Sequence, residues 1–257
     1  MALDQTLLEA ACEEDFVPTL RFYRWSPPAL SIGRFQPIDD VDLDSCAAEG
    51  IEVTRRPTGG KSILHLDDFT YSIVMPRGFP LPDGVVEAYR LISEGILLAL
   101  ERLGLDAVIR PGGGEDYRRT GGACFAASTQ ADLECGGRKL CGSAQVRRGG
   151  ALLQHGSILL KDQSGLLFRL LRFTGEEERD RHLDAYRRRC MSLDETAREY
   201  GWQHVADCFI EGFREYFGVE IAGGELSPRE RARWNDLSRA YSSKRWLRNA
   251  ESMALPR

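Results

Sequence analysis

The residues able to do chemistry fall into two blocks separated by a glycine-rich stretch. Residues 55–65, RRPTGGKSILH, set Arg55 and Arg56 ahead of a Gly59-Gly60 turn, then Lys61 and an apolar run ending at His65. A glycine turn can expose backbone N–H groups, and guanidinium groups beside it suit a carboxylate, a phosphate or a thioester-bearing ligand. Residues 137–160, GRKLCGSAQVRRGGALLQHGSILL, hold Lys139 among small and apolar neighbours, then a Gly142-Ser143 step that reads as a bend, then a strand-like run through His155-Gly156. A lysine in that company is a candidate for chemistry or a solvated hairpin charge. Between the blocks, Cys124 follows residues 111–123, PGGGEDYRRTGGA, a segment too rich in glycine and charge for regular structure and read as a loop.

Composition limits what these blocks can be. With 257 residues, 42% of them hydrophobic, the chain can bury a full core. It reads as one large domain, residues 1–220, with a helical extension at 221–257. A formal net charge of -5 gives no general basic field for nucleic acid, although arginines cluster at 187–189. Seven irregularly spaced cysteines without a CxxC pair argue against a secreted disulfide framework and for reduced thiols in a cytoplasmic setting. The four histidines include none at metal-ligand spacing from a cysteine, so no metal is expected. No apolar run approaches the roughly 18 residues of a membrane span, and no signal pattern opens the chain.

The elements that must position the blocks follow from periodicity. Residues 1–16 place Leu3, Leu7, Leu8 and Ala11 at helical spacing, and 19–26 alternate as a half-buried strand that stops at Pro27-Pro28. Residues 39–49 read as a surface helix leading into a strand at 51–55. Residues 61–65 and 69–74 read as a hairpin turning at Asp67-Asp68. A long amphipathic helix spans 85–103 and stops at Gly104, before a strand at 106–110. Two hairpins follow: 131–134 with 138–141 across Gly136-Gly137, and 144–148 with 152–160 across Gly149-Gly150. Helices are expected at 166–171, 193–200, 202–217 and 226–241, the last with Ser227-Pro228 and Glu230 at capping-box spacing. Hairpins enclosed by helices, without strand-helix alternation, predict a mixed α+β fold with a largely antiparallel sheet.

RRPTGGKSILHLDDFTYSI, CFAAS, GRKLCGSAQ and LLQHGSILL, with the earlier MALDQTLL and RFYRWSPPALSIGRFQ, resemble the biotin/lipoate protein ligase superfamily. Within it they are most similar to the octanoyltransferases that carry an octanoyl group from acyl carrier protein to lipoyl domains. The resemblance covers the chain to about residue 160 and implies a catalytic domain like that of class II aminoacyl-tRNA synthetases. It implies an acyl-enzyme on Cys124, Lys139 lowering that thiol's pKa, and no cofactor. Its site would take in Arg55, Arg56, Gly59, Gly60, Lys61, His65, Gly142, Ser143, His155 and Gly156. Its partners would be octanoyl-acyl carrier protein and lipoyl-domain proteins, such as the glycine-cleavage carrier or 2-oxoacid dehydrogenase subunits, with neither nucleic acid nor membrane. An ammonium beside a thiol favours thiolate, the species that attacks a thioester, so the implied pairing is chemically sound. Lys61 stands where many relatives carry arginine or glycine, which keeps the charge but not the guanidinium fork.

Other readings stay open. Cys141 is the rival nucleophile, since it alternates with Lys139 about Leu140 and could share its face. His65 and His155 could be core histidines with satisfied hydrogen bonds. The chain could also be an ATP-dependent lipoate or biotin ligase, sharing the lysine but not needing Cys124, or a carrier-domain binder without turnover. Arg118, Arg119, Arg147 and Arg148 could form a basic rim for an acidic carrier. The transferase reading expects Lys139 to border the same pocket as residues 55–60.

Overall fold

The computed structural model describes residues 1–13, 15–110 and 132–248. In chain order the elements are α1 (Ala2–Ala10), β1 (Thr19–Tyr23), β2 (Ala29–Ile32), α2 (Leu43–Ala48), β3 (Glu52–Arg55), β4 (Ile63–His65), β5 (Asp68–Met75), α3 (Val85–Arg102), β6 (Ala107–Ile109), β7 (Leu133–Cys135), β8 (Arg138–Arg148), β9 (Ala151–Leu159), α4 (Ser164–Arg169), α5 (Glu176–Arg189), α6 (Trp202–Phe217), α7 (Pro228–Tyr241) and α8 (Lys244–Arg248). Two sheets organise them. The larger is antiparallel throughout, in the order β1-β5-β9-β8-β7-β6. The smaller has the order β3-β2-β4, with β2 parallel to β3 and antiparallel to β4. The fold is therefore α+β with a mainly antiparallel sheet flanked by helices, as the hairpin-rich middle of the chain predicts.

β5 explains why the site lies between the sheets. All eight of its residues are buried, yet its two faces differ in kind. Phe69, Tyr71, Ile73 and Met75 join the main core with Ile92 and Ile96 of α3 and Phe209 and Phe213 of α6. The rings of Phe69 and Phe209 lie 4.7 Å apart, and burying such a side chain contributes about 2 to 3 kcal/mol. Asp68, Thr70 and Ser72 alternate with them on the opposite face, where only polar partners make burial tolerable. α1 covers part of this second face with Leu7 and Leu8 against Val74 and Leu153.

Four expectations need correction. Residues 61–65 and 69–74 do not form a hairpin: β4 belongs to the small sheet and β5 to the large one, because β5 finds partners on both sides, β1 and β9. Gly142-Ser143 is not a bend, since β8 runs unbroken past it with Gly142 opposite Ser157 and Ser143 opposite Gly156. The helix expected at 39–49 is shorter: Val41 makes an isolated bridge to Leu171, and Asp42 caps α2 by accepting from the Asp44 and Ser45 N–H groups. The helix expected at 193–200 is one 3-10 turn, Leu193–Glu195, closed by a Ser192–Glu195 capping box. α5 was missed because Tyr186 is its one buried residue, which leaves no apolar period. Its charges carry the signal, with Glu176, Glu177 and Glu178 in the first turn and Arg187, Arg188 and Arg189 in the last, complementing the helix dipole.

The C-terminal helices pack onto the body of the chain. Arg233 pairs with Glu9 at 2.6 Å, and the Tyr241 hydroxyl donates to Gln5 Oε1 at 2.8 Å. Trp246 of α8 is buried against the ring of Tyr241, with centroids 4.1 Å apart. Among the described residues, no helix is long and apolar enough to cross a membrane.

Candidate active site

Both arginines of the first block are engaged by backbone carbonyls, and they differ in what else they reach. Arg55 ends β3 with its guanidinium turned inward, donating to the carbonyls of Gly33 (2.8 Å), Arg34 (3.1 Å), Gln36 (2.7 Å) and Leu247 (3.0 Å). Arg56 donates to the carbonyl and hydroxyl of Ser31, both at 2.8 Å, and to the carbonyls of Gly59 (3.2 Å) and Lys61 (2.8 Å). A guanidinium in a loop of carbonyls is a brace: five fixed N–H donors satisfy oxygens that an irregular buried turn would otherwise leave bare. Close packing completes the turn. A Cβ on Gly33 would lie 1.9 Å from the Gly60 carbonyl oxygen, so only glycine lets these backbones meet. Gly59, Gly60 and Lys61 are half-buried on the outer side of this braced turn.

The second block supplies a floor. Gly156 of β9 carries no Cβ, and one built there would meet Ser143 Oγ and Tyr71 Cε1 at 2.6 Å. The Tyr71 hydroxyl and Ser143 Oγ are hydrogen-bonded at 2.7 Å, and Gln154 Nε2 donates to the same tyrosine at 3.1 Å. Between this floor and the small sheet lies a narrow cavity of about 20 Å³, the scale of one water molecule. Its lining joins Arg56 and His65 of the first block to Gly142, Ser143, His155 and Gly156 of the second, with Tyr23 and Thr70 beside them. Six of the residues singled out from sequence therefore converge, whereas Arg55, Gly59, Gly60, Lys61 and Lys139 do not line this cavity.

Both cavity histidines sit in carboxylate–imidazole–hydroxyl chains. His155 Nδ1 lies 3.1 Å from Asp4 Oδ2, and its Nε2 lies 2.6 Å from Thr58 Oγ1. His65 Nδ1 lies 2.7 Å from Asp68 Oδ2 and Nε2 lies 2.8 Å from Ser31 Oγ, with the ring stacked on Trp25 at 4.1 Å. Burial alone would raise the Asp4 pKa, but Arg21 at 2.6 Å and the bond from His155 outweigh it and hold the carboxyl well below its usual range. Burial pushes the His155 pKa down against the pull of Asp4, and Arg56 adds to the depression. Asp4 is thus an acceptor only, so the His155 proton sits on Nδ1 and Nε2 accepts the Thr58 hydroxyl.

Lys139 lies three residues before Gly142 on β8 and is almost fully buried, its amine 2.9 Å from the equally buried Asp132 carboxylate. It is not a solvated hairpin charge. Cys141 is buried, and burial pushes its thiol up to about 12, with Ser143 and Lys139 offsetting that only in part. Such a thiol leaves on the order of one molecule in 10⁵ as thiolate at pH 7. Cys124, Arg118 and Arg119 lie outside the described residues. Arg147 donates to the carbonyls of Pro82, Asp83 and Gly84, and Arg148 pairs with Glu9, so these two brace the body of the chain.

Sequence reasoning missed Asp4, Ser31, Thr58, Asp68 and Asp132. Asp4 had a readable signal: it shares the helical face of Leu7, Leu8 and Ala11, and an acid on an apolar face needs a partner. Ser31 and Thr58 offered none, since a lone hydroxyl is common anywhere.

The chain is 40% identical over 251 residues to an octanoyltransferase, LipM, of Carboxydothermus hydrogenoformans, covering 96% of this chain and 93% of the relative. It is 41% identical over 254 residues to the LipM octanoyltransferase of Symbiobacterium thermophilum, with 96% and 92% covered. Among solved structures it is similar to a bipartite lipoate protein ligase of Thermoplasma acidophilum (TM-score 0.80, 26% identity, 96% of this chain and 89% of that one). It is also similar to a lipoate-protein ligase A bound with ATP (TM-score 0.77, 26% identity, 96% and 91% covered). The family model of the lipoyl protein ligase A/B catalytic domain matches residues 1–214, and with these relatives spanning nearly the whole chain, the protein belongs to that family.

Proposed function

We propose that this protein is an octanoyltransferase of protein lipoylation, moving an octanoyl group from acyl carrier protein to a lysine of a lipoyl domain through a thioester on Cys124. The observation that carries the reading is the 40–41% identity, along nearly the full length, to octanoyltransferases. In the first step the Cys124 thiolate attacks the carrier thioester, the acyl–cysteine bond forms, the carbonyl–sulfur bond to the carrier breaks and the carrier leaves as its thiolate, which takes a proton from solvent. In the second, the lipoyl-domain lysine amine attacks that carbonyl, an amide forms, the Cys124 thiolate leaves and the amine's proton passes to solvent or a base. The first exchange is near-neutral in energy and the second downhill, so neither needs ATP or magnesium. The high pKa and burial of Cys141 argue against the rival nucleophile, which supports Cys124.

Likeness to an ATP-bound ligase favours a second reading, in which free octanoate is activated as an adenylate. Intact-mass spectrometry after incubation with octanoyl-acyl carrier protein separates the two. An octanoyl adduct mapped to Cys124, lost in Cys124→Ser and kept in Cys141→Ala, supports the transferase. Transfer from octanoate plus ATP, with none from the carrier thioester, reverses the assignment.

A further inference from the structure

The braced turn at residues 57–60 belongs by its hydrogen bonds to the small sheet. The Arg34 N–H donates to the Thr58 carbonyl at 2.8 Å, and Arg56 ties the Gly59 and Lys61 carbonyls to Ser31 of β2. Its foothold on the large sheet is different in kind, a side-chain bond from Thr58 Oγ1 to His155 Nε2 on β9. His155 is itself held from behind by Asp4, which also accepts from Arg21 Nη2 at 2.6 Å and the Tyr23 hydroxyl at 3.0 Å. α1, β1, β9 and the turn are thus joined through one carboxylate. His155 lines the cavity, and Arg56, which carries the turn, lines it from the other side.

We propose that His155 is a positioning residue whose Asp4–His155–Thr58 chain fixes the distance between the glycine turn and strand β9, and so sets the width of the acyl-donor site. This rests on the acyltransferase reading of the same cavity. The chain is directional: Asp4 takes the Nδ1–H, which commits Nε2 to accept, and the Thr58 hydroxyl is left one geometry in which to donate. A threonine hydroxyl fixed in this way is not available as a nucleophile. Its effect is on binding geometry, which raises donor affinity without touching the chemical step.

The test compares Thr58→Val, which keeps the shape and removes the donor, with Thr58→Ser, which keeps the donor. With octanoyl-acyl carrier protein as substrate, Thr58→Val should raise KM roughly five- to tenfold, the effect of one neutral buried hydrogen bond, while kcat changes less than about twofold. Thr58→Ser should recover most of the KM. Imidazole ¹⁵N resonances supply a readout independent of catalysis: wild type should show the Nδ1–H tautomer, and Thr58→Val should shift the Nε2 resonance while Thr58→Ser leaves it near wild type. A wild-type enzyme that transfers no octanoyl group defeats the function reading, and the resonances then still decide the tether. A KM unchanged in Thr58→Val, a kcat loss instead of a KM effect, or an Nε2–H tautomer in wild type overturns the proposal.

Discussion

Lys139→Met tests whether the lysine works as part of a buried ion pair. Its ammonium lies 2.9 Å from Asp132, with side-chain exposures of 3% and 0%, so water screens the pair little. The substitution keeps most of the alkyl volume and takes the counter-charge from a buried carboxylate. Breaking a buried pair in this way costs about 3 to 5 kcal/mol. For a chain of this size each kcal/mol moves the melting temperature by about 2 to 4 °C, which predicts a fall of roughly 6 to 20 °C. Replacing both partners, as in Lys139→Met with Asp132→Leu, removes both charges together and should recover much of the loss. Urea unfolding of wild type, both single variants and the double variant at pH 7 gives the coupling directly. A single-variant cost below about 1 kcal/mol, or costs that simply add, would refute the buried-pair account. The pairing also bears on catalysis, since a carboxylate at 2.9 Å damps the field with which Lys139 can favour a thiolate. Slower Cys124 acylation with an alkaline-shifted pH profile in Lys139→Met is therefore expected only in enzyme that remains folded at the assay temperature.

Two further outcomes follow from the same geometry. Arg55→Lys should destabilise the protein by about 2 to 4 kcal/mol, because a compact ammonium cannot serve four carbonyls spread over Gly33, Arg34, Gln36 and Leu247. Thermal unfolding checks this, and an unchanged melting temperature with a raised donor KM would return Arg55 to ligand binding. Stability should also fall on mild acidification. His155 has a folded pKa below its usual value of about 6.5, so its contribution is complete above that pH and is lost as pH falls toward the lowered value. Asp4, depressed likewise, adds a second loss below about pH 4. The groups facing His155 are Asp4, Arg56 and the Met1 amine, with Arg21 and Tyr23 acting on Asp4. Urea midpoints measured from pH 8 to pH 5 should decline in wild type and flatten in His155→Gln, and a midpoint rising on acidification contradicts this.

The α+β class, the two glycine-turn hairpins of the second block, α3 with its Gly104 stop and α7 with its capping box were legible in the linear chain. Each rests on interactions between residues close in the chain, so period and punctuation express them directly. Family membership was likewise legible, because ordered motif blocks survive as a linear string. The partners of the charged residues in those blocks came from the three-dimensional fold. Arg55 and Arg56 look like ligand contacts in a linear reading, and the fold engages both guanidinium groups with backbone carbonyls, those of residues 33 to 36 and 247 for Arg55 and of Ser31, Gly59 and Lys61 for Arg56, which also lines the cavity. The partner strands of β5 send β4 to another sheet, a choice that two residues of connecting chain cannot encode. His155 is joined to Asp4 and Thr58 across 151 and 97 residues, and no local pattern marks a partner at such separation. Burial converts these distant pairings into strong constraints, because a charge or hydroxyl removed from water must find whatever partner the fold brings near.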